Sequence, residues 1–240
     1  MAGTWTEFCE QVNPKILKES RQAHFKNANR IQASFLSALE KRALLWLAVR
    51  LPGWINSDHL TLVGLAGQML AGVSYALVRG NRWWLIAGIG FLALNWFGDS
   101  LDGTLARVRH QERPRYGFYV DHMIDSFGAF CIMGGLALSG LMHPYIAFGL
   151  LVGFLLLSIQ SYLVAYAMGE FRLSFWRFGP TELRVLLAVG NLAVLRWPRV
   201  LNPHYRLFDL GGVIGIAGMA AMVVFFTVRN TRRLYREESL

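Results

Sequence analysis

The chain has 240 residues, of which 54% are hydrophobic and only 16% are charged. A soluble domain carries roughly 25% charged residues, so this composition excludes an ordinary soluble protein and favours an integral membrane protein. The formal net charge is +9, and we expect a lipid bilayer, not a nucleic acid, to be the partner of this basic chain.

The first predicted element is a cytoplasmic N-terminal segment, residues 1–57. Basic residues and apolar ones alternate there at three- and four-residue steps, which is typical of an amphipathic helix. Two alternatives fit that spacing, a helix in the membrane interface or one packed on the cytoplasmic end of a helix bundle. We expect no secretory signal, because the first thirty residues lack an apolar core region. The apolar residues of the pattern are Ile31, Phe35, Leu36, Leu39, Leu44, Trp46 and Leu47.

A Pro-Gly break at Arg50–Trp54 separates this segment from residues 58–240. The second part is predicted to be an all-α membrane domain with six transmembrane helices, each needing about 20 apolar residues to cross the bilayer. The second, third and fifth apolar runs are shorter than that, so polar residues from their flanks must extend these helices. The six runs are Leu60–Val78, Trp83–Gly98, Phe127–Leu141, Tyr145–Met168, Thr181–Leu195 and Leu210–Val228.

The distribution of basic residues predicts the orientation of this domain. Six crossings place both termini on one side of the membrane, and that side carries eighteen lysines and arginines against five on the other. Cytoplasmic loops are the ones enriched in basic residues. We therefore expect both termini in the cytoplasm, and the inner membrane as the location if the protein is bacterial.

Four aspartates flank the connection between the second and third predicted helices. Asp99 and Asp102 lie three residues apart on one helical face, and Asp121 and Asp125 lie four apart on another. The intervening Val108–Tyr116 contains a proline and charged residues and is expected to be a loop. Two antiparallel helix ends then bring four carboxylates together on the cytoplasmic side.

Such a cluster needs positive charge, because ionised side chains in a membrane segment are costly unless they are paired or face a wet cavity. Arginine, protons or metal can supply it. Oxygen ligands on rigid helices suit hard divalent ions such as Mg²⁺, Mn²⁺ or Ca²⁺, and two such ions can hold a phosphate ester during a displacement. Gly103, Ala106 and Gly117 share the faces of the acids, where small side chains admit either a bound group or a close helix.

The residues from Asp99 to Asp125 read Asp-x2-Asp-Gly-x2-Ala-Arg-x9-Gly-x3-Asp-x3-Asp. This string resembles the signature of the CDP-alcohol phosphotransferases (CDP-alcohol phosphatidyltransferases), whose members have a six-helix membrane core. All the fixed positions of the signature are filled. The spacer after Arg107 has nine residues where eight is the commonest length, and the extra residue falls in the loop.

The resemblance implies a role for each signature residue. Asp99, Asp102, Asp121 and Asp125 would bind two divalent ions, Mg²⁺ or Mn²⁺, that hold the pyrophosphate of a CDP-linked donor. Asp125 would also be the general base, which takes a proton from the acceptor hydroxyl as that hydroxyl attacks the β-phosphorus and CMP leaves. The CDP-binding residues would be Gly103, Ala106, Arg107 and Gly117. The family also implies a homodimer.

The acceptor is less well defined by these motifs. His122 follows the third aspartate, as it does in the choline and ethanolamine phosphotransferases, and Gln160–Glu182 vaguely resembles the segment of those enzymes that ends in Thr-Glu. Glu182 and Arg184 begin the fifth apolar helix, where charges need partners, and they are candidates for binding the acceptor. Either CDP-diacylglycerol donates to a small alcohol or a CDP-aminoalcohol donates to a diacylglycerol-like lipid.

A membrane cation or proton transporter is the competing interpretation of the aspartates. Transporters distribute polar residues at mid-membrane over several helices, often in duplicated halves. This chain concentrates its acids at one face of one helix pair, which favours the enzyme. Metal-dependent release of CMP distinguishes the two.

Overall fold

The computed structural model describes residues 29–31, 37–168, 170–172, 180–197 and 206–238. Over these residues the chain is helical except for two three-residue strands, β1 (Asn29–Ile31) and β2 (Glu170–Arg172), which pair in parallel with Asn29 opposite Glu170. The seven helices are α1 (Ser37–Arg50), α2 (Ser57–Leu77), α3 (Trp84–Val108), α4 (Pro114–Ser139), α5 (Pro144–Met168), α6 (Pro180–Arg196) and α7 (Leu207–Glu237).

Five of these helices, α2, α3, α4, α5 and α7, are long and apolar enough to cross a membrane. The chain is therefore an integral membrane protein built mainly of helices. The sixth predicted crossing corresponds to α6, which has 17 residues and a length of about 25 Å at 1.5 Å per residue. That is shorter than the ~30 Å hydrocarbon core, so the count of six stays a prediction.

The short apolar runs are extended by their polar flanks, as the sequence predicts. Helix α3 continues through Asp99 and Asp102 to Val108, and α4 starts at Pro114, ahead of Asp121 and Asp125. Pro114 stands in the first turn of α4, where its missing N–H has no intrahelical acceptor. Both aspartate pairs therefore lie on regular helix, where their spacing fixes a common face.

Helix α2 lies at the centre of the bundle because its glycines allow both α3 and α4 to approach its backbone. A Cβ added to Gly67 would lie 2.5 Å from the backbone nitrogen of Asn95 on α3. At the contact between α2 and α4, a Cβ added to Gly72 would clash with the backbone of Cys131. One added to Gly135 of α4 would clash with the backbone of Gly72. Small residues give membrane helices this close contact. Since α3 and α4 dock on the same helix, α2 holds their aspartate-bearing ends near each other.

Helix α1 packs on the end of the bundle that carries the aspartates. Leu44 and Ala48 are buried in one cluster with Leu60 of α2 and with Leu101 and Leu105 of α3. This contact supports the second alternative for the N-terminal segment, a helix packed on the bundle. The interfacial position of the segment stays a prediction, and its residues 1–28 and 32–36 lie outside the described residues.

Helix α6 lies along α3 and is held there by a buried polar contact. The hydroxyl of Tyr75 donates to Oδ1 of Asn191 at 3.1 Å, and Nδ2 of Asn191 donates to the carbonyl of Leu85 at 3.3 Å. Both Tyr75 and Asn191 are fully buried. A paired amide inside an apolar bundle fixes the position of α6 relative to α2 and α3.

Candidate active site

Three aspartates of α3 and α4 converge at one end of the bundle. Asp99, Asp121 and Asp125 each offer a carboxylate oxygen, and these oxygens lie within 4.8 Å of one another. All three side chains are partly buried. The structure thus brings together three of the four predicted carboxylates, and the donor set consists of oxygen alone, which suits hard divalent cations.

Asp102 lies one turn further along α3 and is tied to α2. Its Oδ2 accepts a 2.7 Å hydrogen bond from Thr61 Oγ1, while its backbone carbonyl accepts one of 3.0 Å from Ser57 Oγ. The group of three mutually close carboxylates among the described residues does not include it. Asp102 therefore joins the cluster to α2, a connection that the spacing of the motif alone does not reveal.

An arginine of α6 pairs with the cluster. Nη2 of Arg184 contacts Oδ2 of Asp99, and both side chains are largely buried, at 12% and 23% exposure. Nε of Arg184 donates to Oδ1 of Asn95 at 2.7 Å, and Nδ2 of Asn95 donates to the carbonyl of Gly64 at 2.9 Å. A buried carboxylate is stabilised by such a charged and hydrogen-bonded partner. Arg184, predicted on the acceptor side, thus lies at the aspartates themselves.

The small residues of the motif border open space. A Cβ added to Gly117 would meet no atom within 4 Å, and one added to Gly103 would meet only the Nη1 of Arg107, at 3.5 Å. Ala106 is partly buried, one turn from Gly103. Arg107 is exposed, and its Nη2 donates to Thr104 Oγ1 at 3.1 Å. The two glycines therefore do not serve close helix packing, unlike those at the α2 contacts.

The remaining predicted acceptor residues lie on two different elements. His122 sits between the aspartates of α4, with its Nδ1 2.6 Å from the carbonyl oxygen of Phe118. Its ring meets that of Tyr162 on α5 edge to face, at 4.9 Å between centroids. Glu182 is partly buried in the first turn of α6. Of the segment Gln160–Glu182, residues 169 and 173–179 lie outside the described part.

Two arginines of the loop after α3 serve as structural ties. Nη2 of Arg109 donates to the carbonyls of Leu51 and Pro52 at 3.0 Å each, which holds the turn between α1 and α2. Arg113 forms an ion pair with the exposed Asp58. These contacts fix the loop against α2 on the side of the bundle where the aspartates lie.

Sequence reasoning missed three residues around the site. Asn95 accepts a hydrogen bond from Arg184, Tyr162 packs on His122, and Glu40 of α1 accepts hydrogen bonds from side chains of α3 and α6. A polar residue within an apolar run is the signal that marks Asn95, since such residues in membrane helices pair with a partner. Nothing in the local sequence identifies the partners.

The comparisons with known proteins agree with the motif. The family model described as CDP-alcohol phosphatidyltransferase matches residues 54–228. An archaetidylinositol phosphate synthase of Pyrococcus horikoshii is 34% identical over 47% of this chain and 53% of its own. A phosphatidylinositol phosphate synthase of Cutibacterium acnes is 35% identical over 35% of this chain and 38% of its own.

A third relative aligns with more of the chain. The cholinephosphotransferase 1 of Gallus gallus is 26% identical over 79% of this chain and 57% of its own length. In all three comparisons the aligned part is less than two thirds of the relative.

Proposed function

Because the chain belongs to the CDP-alcohol phosphatidyltransferase family, we propose that it moves a phospho-linked group from a CDP-activated donor to an acceptor hydroxyl and releases CMP. The observation that carries this proposal is the convergence of Asp99, Asp121 and Asp125 beside open space at Gly103 and Gly117. Carboxylates that can hold divalent cations, with open space beside them, suit the binding of a nucleoside diphosphate.

The carboxylates fit a pair of divalent ions, and we assign Asp99, Asp102, Asp121 and Asp125 to Mg²⁺ or Mn²⁺. The close grouping of the oxygens of Asp99, Asp121 and Asp125 supports this assignment, and Asp102 is included for its place in the signature. When bound, such ions neutralise the pyrophosphate and stabilise the charge that develops on it during displacement.

Asp125 is proposed as the general base. It lies on α4 among the other carboxylates, where a hydroxyl brought to the donor phosphate comes within its reach. In the transfer, the acceptor oxygen forms a bond to the β-phosphorus, and the bond from that phosphorus to the CMP oxygen breaks. The hydroxyl proton passes to the carboxylate of Asp125, and CMP leaves with the electron pair of the broken bond.

The donor's cytidine and ribose are assigned to the open surface formed by Gly103, Ala106 and Gly117, with Arg107 at its edge. Gly117 lies one turn before Asp121 on α4, and an added Cβ there would meet no atom within 4 Å, which leaves room for a ligand beside the aspartates. The exposed guanidinium of Arg107 is suited to a phosphate oxygen.

His122, Glu182 and Arg184 are proposed to form the acceptor side. Arg184 already lies at Asp99, so an acceptor held by it would be next to the metal ligands. Two of the relatives are named as an archaetidylinositol phosphate synthase and a phosphatidylinositol phosphate synthase, and one as a cholinephosphotransferase. These names correspond to the two substrate pairings, a lipid-linked donor with a soluble alcohol and a CDP-aminoalcohol with a lipid.

We further propose six crossings with both termini and the site on the cytoplasmic side, and a homodimer as the resemblance implies. The lipid-soluble substrate then enters from the bilayer, and the soluble substrate enters from the cytoplasm. The basic residues at the end of α7, Arg229, Arg232, Arg233 and Arg236, support this orientation.

The experiment is CMP release by the purified protein with Mg²⁺ or Mn²⁺. CDP-diacylglycerol is offered with a panel of alcohols that includes inositol phosphate, and CDP-choline or CDP-ethanolamine is offered with diacylglycerol. We expect release with one pairing and its loss on adding a chelator. Absence of both CMP release and CDP binding would contradict the proposal and favour the transporter.

A further inference from the structure

Glu40, on the N-terminal helix α1, contacts both α3 and α6. A single oxygen, Oε1, accepts hydrogen bonds from Trp96 Nε1 at 2.7 Å, Ser100 Oγ at 3.2 Å and Thr181 Oγ1 at 2.9 Å. Trp96 and Ser100 lie on α3, and Thr181 lies in the first turn of α6. The carboxylate thus joins two helices that are 81 to 85 residues apart in sequence at these contacts.

The residues bound by Glu40 are neighbours of the residues that form the Arg184 contact. Thr181 and Arg184 are three residues apart on α6 and lie on one face. On α3, Arg184 binds the side chains of Asn95 and Asp99. The adjacent Trp96 and Ser100 donate hydrogen bonds to Glu40. The start of α6 is therefore attached to α3 twice, through Arg184 directly and through Glu40.

We propose that Glu40 is a positioning residue, which holds the first turn of α6 on α3 so that Arg184 reaches Asp99. It acts through Arg184 and is not assigned to the substrate. Glu40 lies outside residues 54–228 that match the family model, so the N-terminal segment supplies a side chain on which the geometry of the site depends. The catalytic consequence rests on the proposed function, whereas the structural consequence does not.

The simplest alternative is that Glu40 only helps α1 to pack. Leu44 provides the matched control, because it lies one turn along α1, is 8% exposed and is buried against α2 and α3. Leu44→Ala weakens the packing of α1 and removes no hydrogen bond to α6. Any effect common to Leu44→Ala and Glu40→Ala belongs to packing.

The first arm of the experiment measures amide hydrogen exchange of residues 184–187, whose N–H groups bond to the first turn of α6. Glu40→Ala should speed this exchange about tenfold, the loss expected for a hydrogen bond to a charged group. Glu40→Gln should keep exchange slow, because its amide oxygen can still accept the hydrogen bonds from Trp96 and Thr181. Thr181→Val, which keeps the shape and removes the donor, should resemble Glu40→Ala and covers the case in which Glu40→Ala fails to fold.

The second arm measures CMP release in a double-mutant cycle. Glu40→Ala should lower kcat/KM for the acceptor about tenfold in the wild-type background and by much less in an Arg184→Gln background, because a residue that acts through Arg184 loses its effect when Arg184 is absent. Leu44→Ala should leave kcat/KM for the acceptor near that of the wild type.

The two arms separate the inference from the proposed function. If the wild type releases no CMP with any substrate, the proposed function fails while the exchange arm still decides whether Glu40 holds α6. The positioning role is overturned if exchange in α6 is unchanged in both Glu40→Ala and Thr181→Val, or if Leu44→Ala changes it equally. Equal loss of kcat/KM for the acceptor in the two Arg184 backgrounds would also overturn it.

Discussion

At the scale of single residues, Asp125 and Asp58 show how location changes the role of the same carboxyl group. Asp58 is exposed and pairs with Arg113 at the start of α2. Asp125 lies partly buried among Asp99 and Asp121. Carboxylates held close together repel one another, and a bound cation or a proton removes that repulsion. Asp125 therefore lies where a metal ligand or a proton acceptor is expected.

Asp125→Asn is therefore expected to abolish transfer while the protein stays folded. The amide keeps the shape of the side chain but accepts no proton and binds a metal ion less well, so CMP release should fall by at least about 10²–10⁴-fold, the range for loss of a general base. Asp58→Asn is the matched control and should keep nearly full activity. Near-normal CMP release by Asp125→Asn would contradict the assignment of the base.

Gly117 gives a second prediction at this scale. Its added Cβ would meet no protein atom, so Gly117→Ala should not lower the melting temperature. If the nucleotide occupies that space, the methyl group should raise the donor KM about tenfold, which corresponds to ~1.4 kcal/mol. Gly134→Ala on the same helix, where space is also open, should likewise not lower the melting temperature and should leave the donor KM unchanged. A Gly117→Ala variant with a normal donor KM would contradict nucleotide binding there.

The residues around the site differ in how far the sequence reveals them. Asp99, Asp121 and Asp125 could be placed together because helical periodicity fixes which residues share a face and because the connecting loop is short. Asn95 and Glu40 could not, since their partners lie 31 to 141 positions away along the chain. Contacts of that range depend on how helices pack, which local spacing does not encode.

At the scale of elements, α6 matters most to the site because it brings Arg184 to Asp99. The sequence predicts α6 as an apolar helix whose first turn carries charge, but it gives no partner for that charge. The structure supplies Asn95 and Asp99 of α3. Removal of the buried guanidinium would leave the carboxylate of Asp99 without this charged partner, which would change the charge around a ligand bound beside it.

Arg184→Ala is expected to raise the KM of the acceptor more than that of the donor, if Arg184 contacts the acceptor as proposed. Steady-state kinetics with each substrate varied in turn will measure the two constants. Arg196→Ala, the same change at the other end of α6, where Arg196 lies over the ring of Trp197, should leave both constants unchanged. If neither constant changes in Arg184→Ala, the residue has a structural role only.

The contact between α2 and α3 gives a prediction about stability. A Cβ on Gly98 would meet the backbone of Gly64 and the carbonyl of Leu60, and backbone atoms cannot move aside as a flexible side chain can. Gly98→Ala should therefore destabilise the protein by about 1–3 kcal/mol and lower the melting temperature in detergent. Gly90→Ala on the same helix faces open space and should have no such effect; equal melting temperatures would contradict the close contact.

Helix boundaries show a similar division between what sequence can and cannot provide. The extension of α3 and α4 through the aspartates could be predicted, because the apolar runs alone were too short to cross. The position of α1 could not be decided from its pattern, since an apolar face fits a membrane surface and a helix bundle equally well. Burial of Leu44 and Ala48 against α2 and α3 identifies a protein neighbour for that face.

At the scale of the whole molecule, the number of crossings determines on which side of the membrane the C-terminus lies. Contacts of α6 run along much of α3, with Arg184 near Asp99 and Asn191 at Leu85, in the first turn of α3. A helix that lay on the membrane surface could not make both contacts. This favours α6 as a crossing although it has only 17 residues.

Six crossings place the turn between α2 and α3 on the side opposite the C-terminal end of α7. In a variant with Cys9 and Cys131 replaced by serine, Arg82→Cys should react with a membrane-impermeant maleimide in intact cells. Glu238→Cys should react only after the cells are permeabilised, because arginines at the end of α7 retain it in the cytoplasm.

The control for this labelling is His110→Cys, in the exposed loop between α3 and α4. It lies on the side of the aspartates and should be protected together with Glu238→Cys. If α6 does not cross, α7 is the fifth crossing, and Glu238→Cys becomes accessible in intact cells while His110→Cys stays protected. That result would contradict six crossings and leave the aspartate site in the cytoplasm, because the orientation of α3 and α4 depends only on the helices before α6.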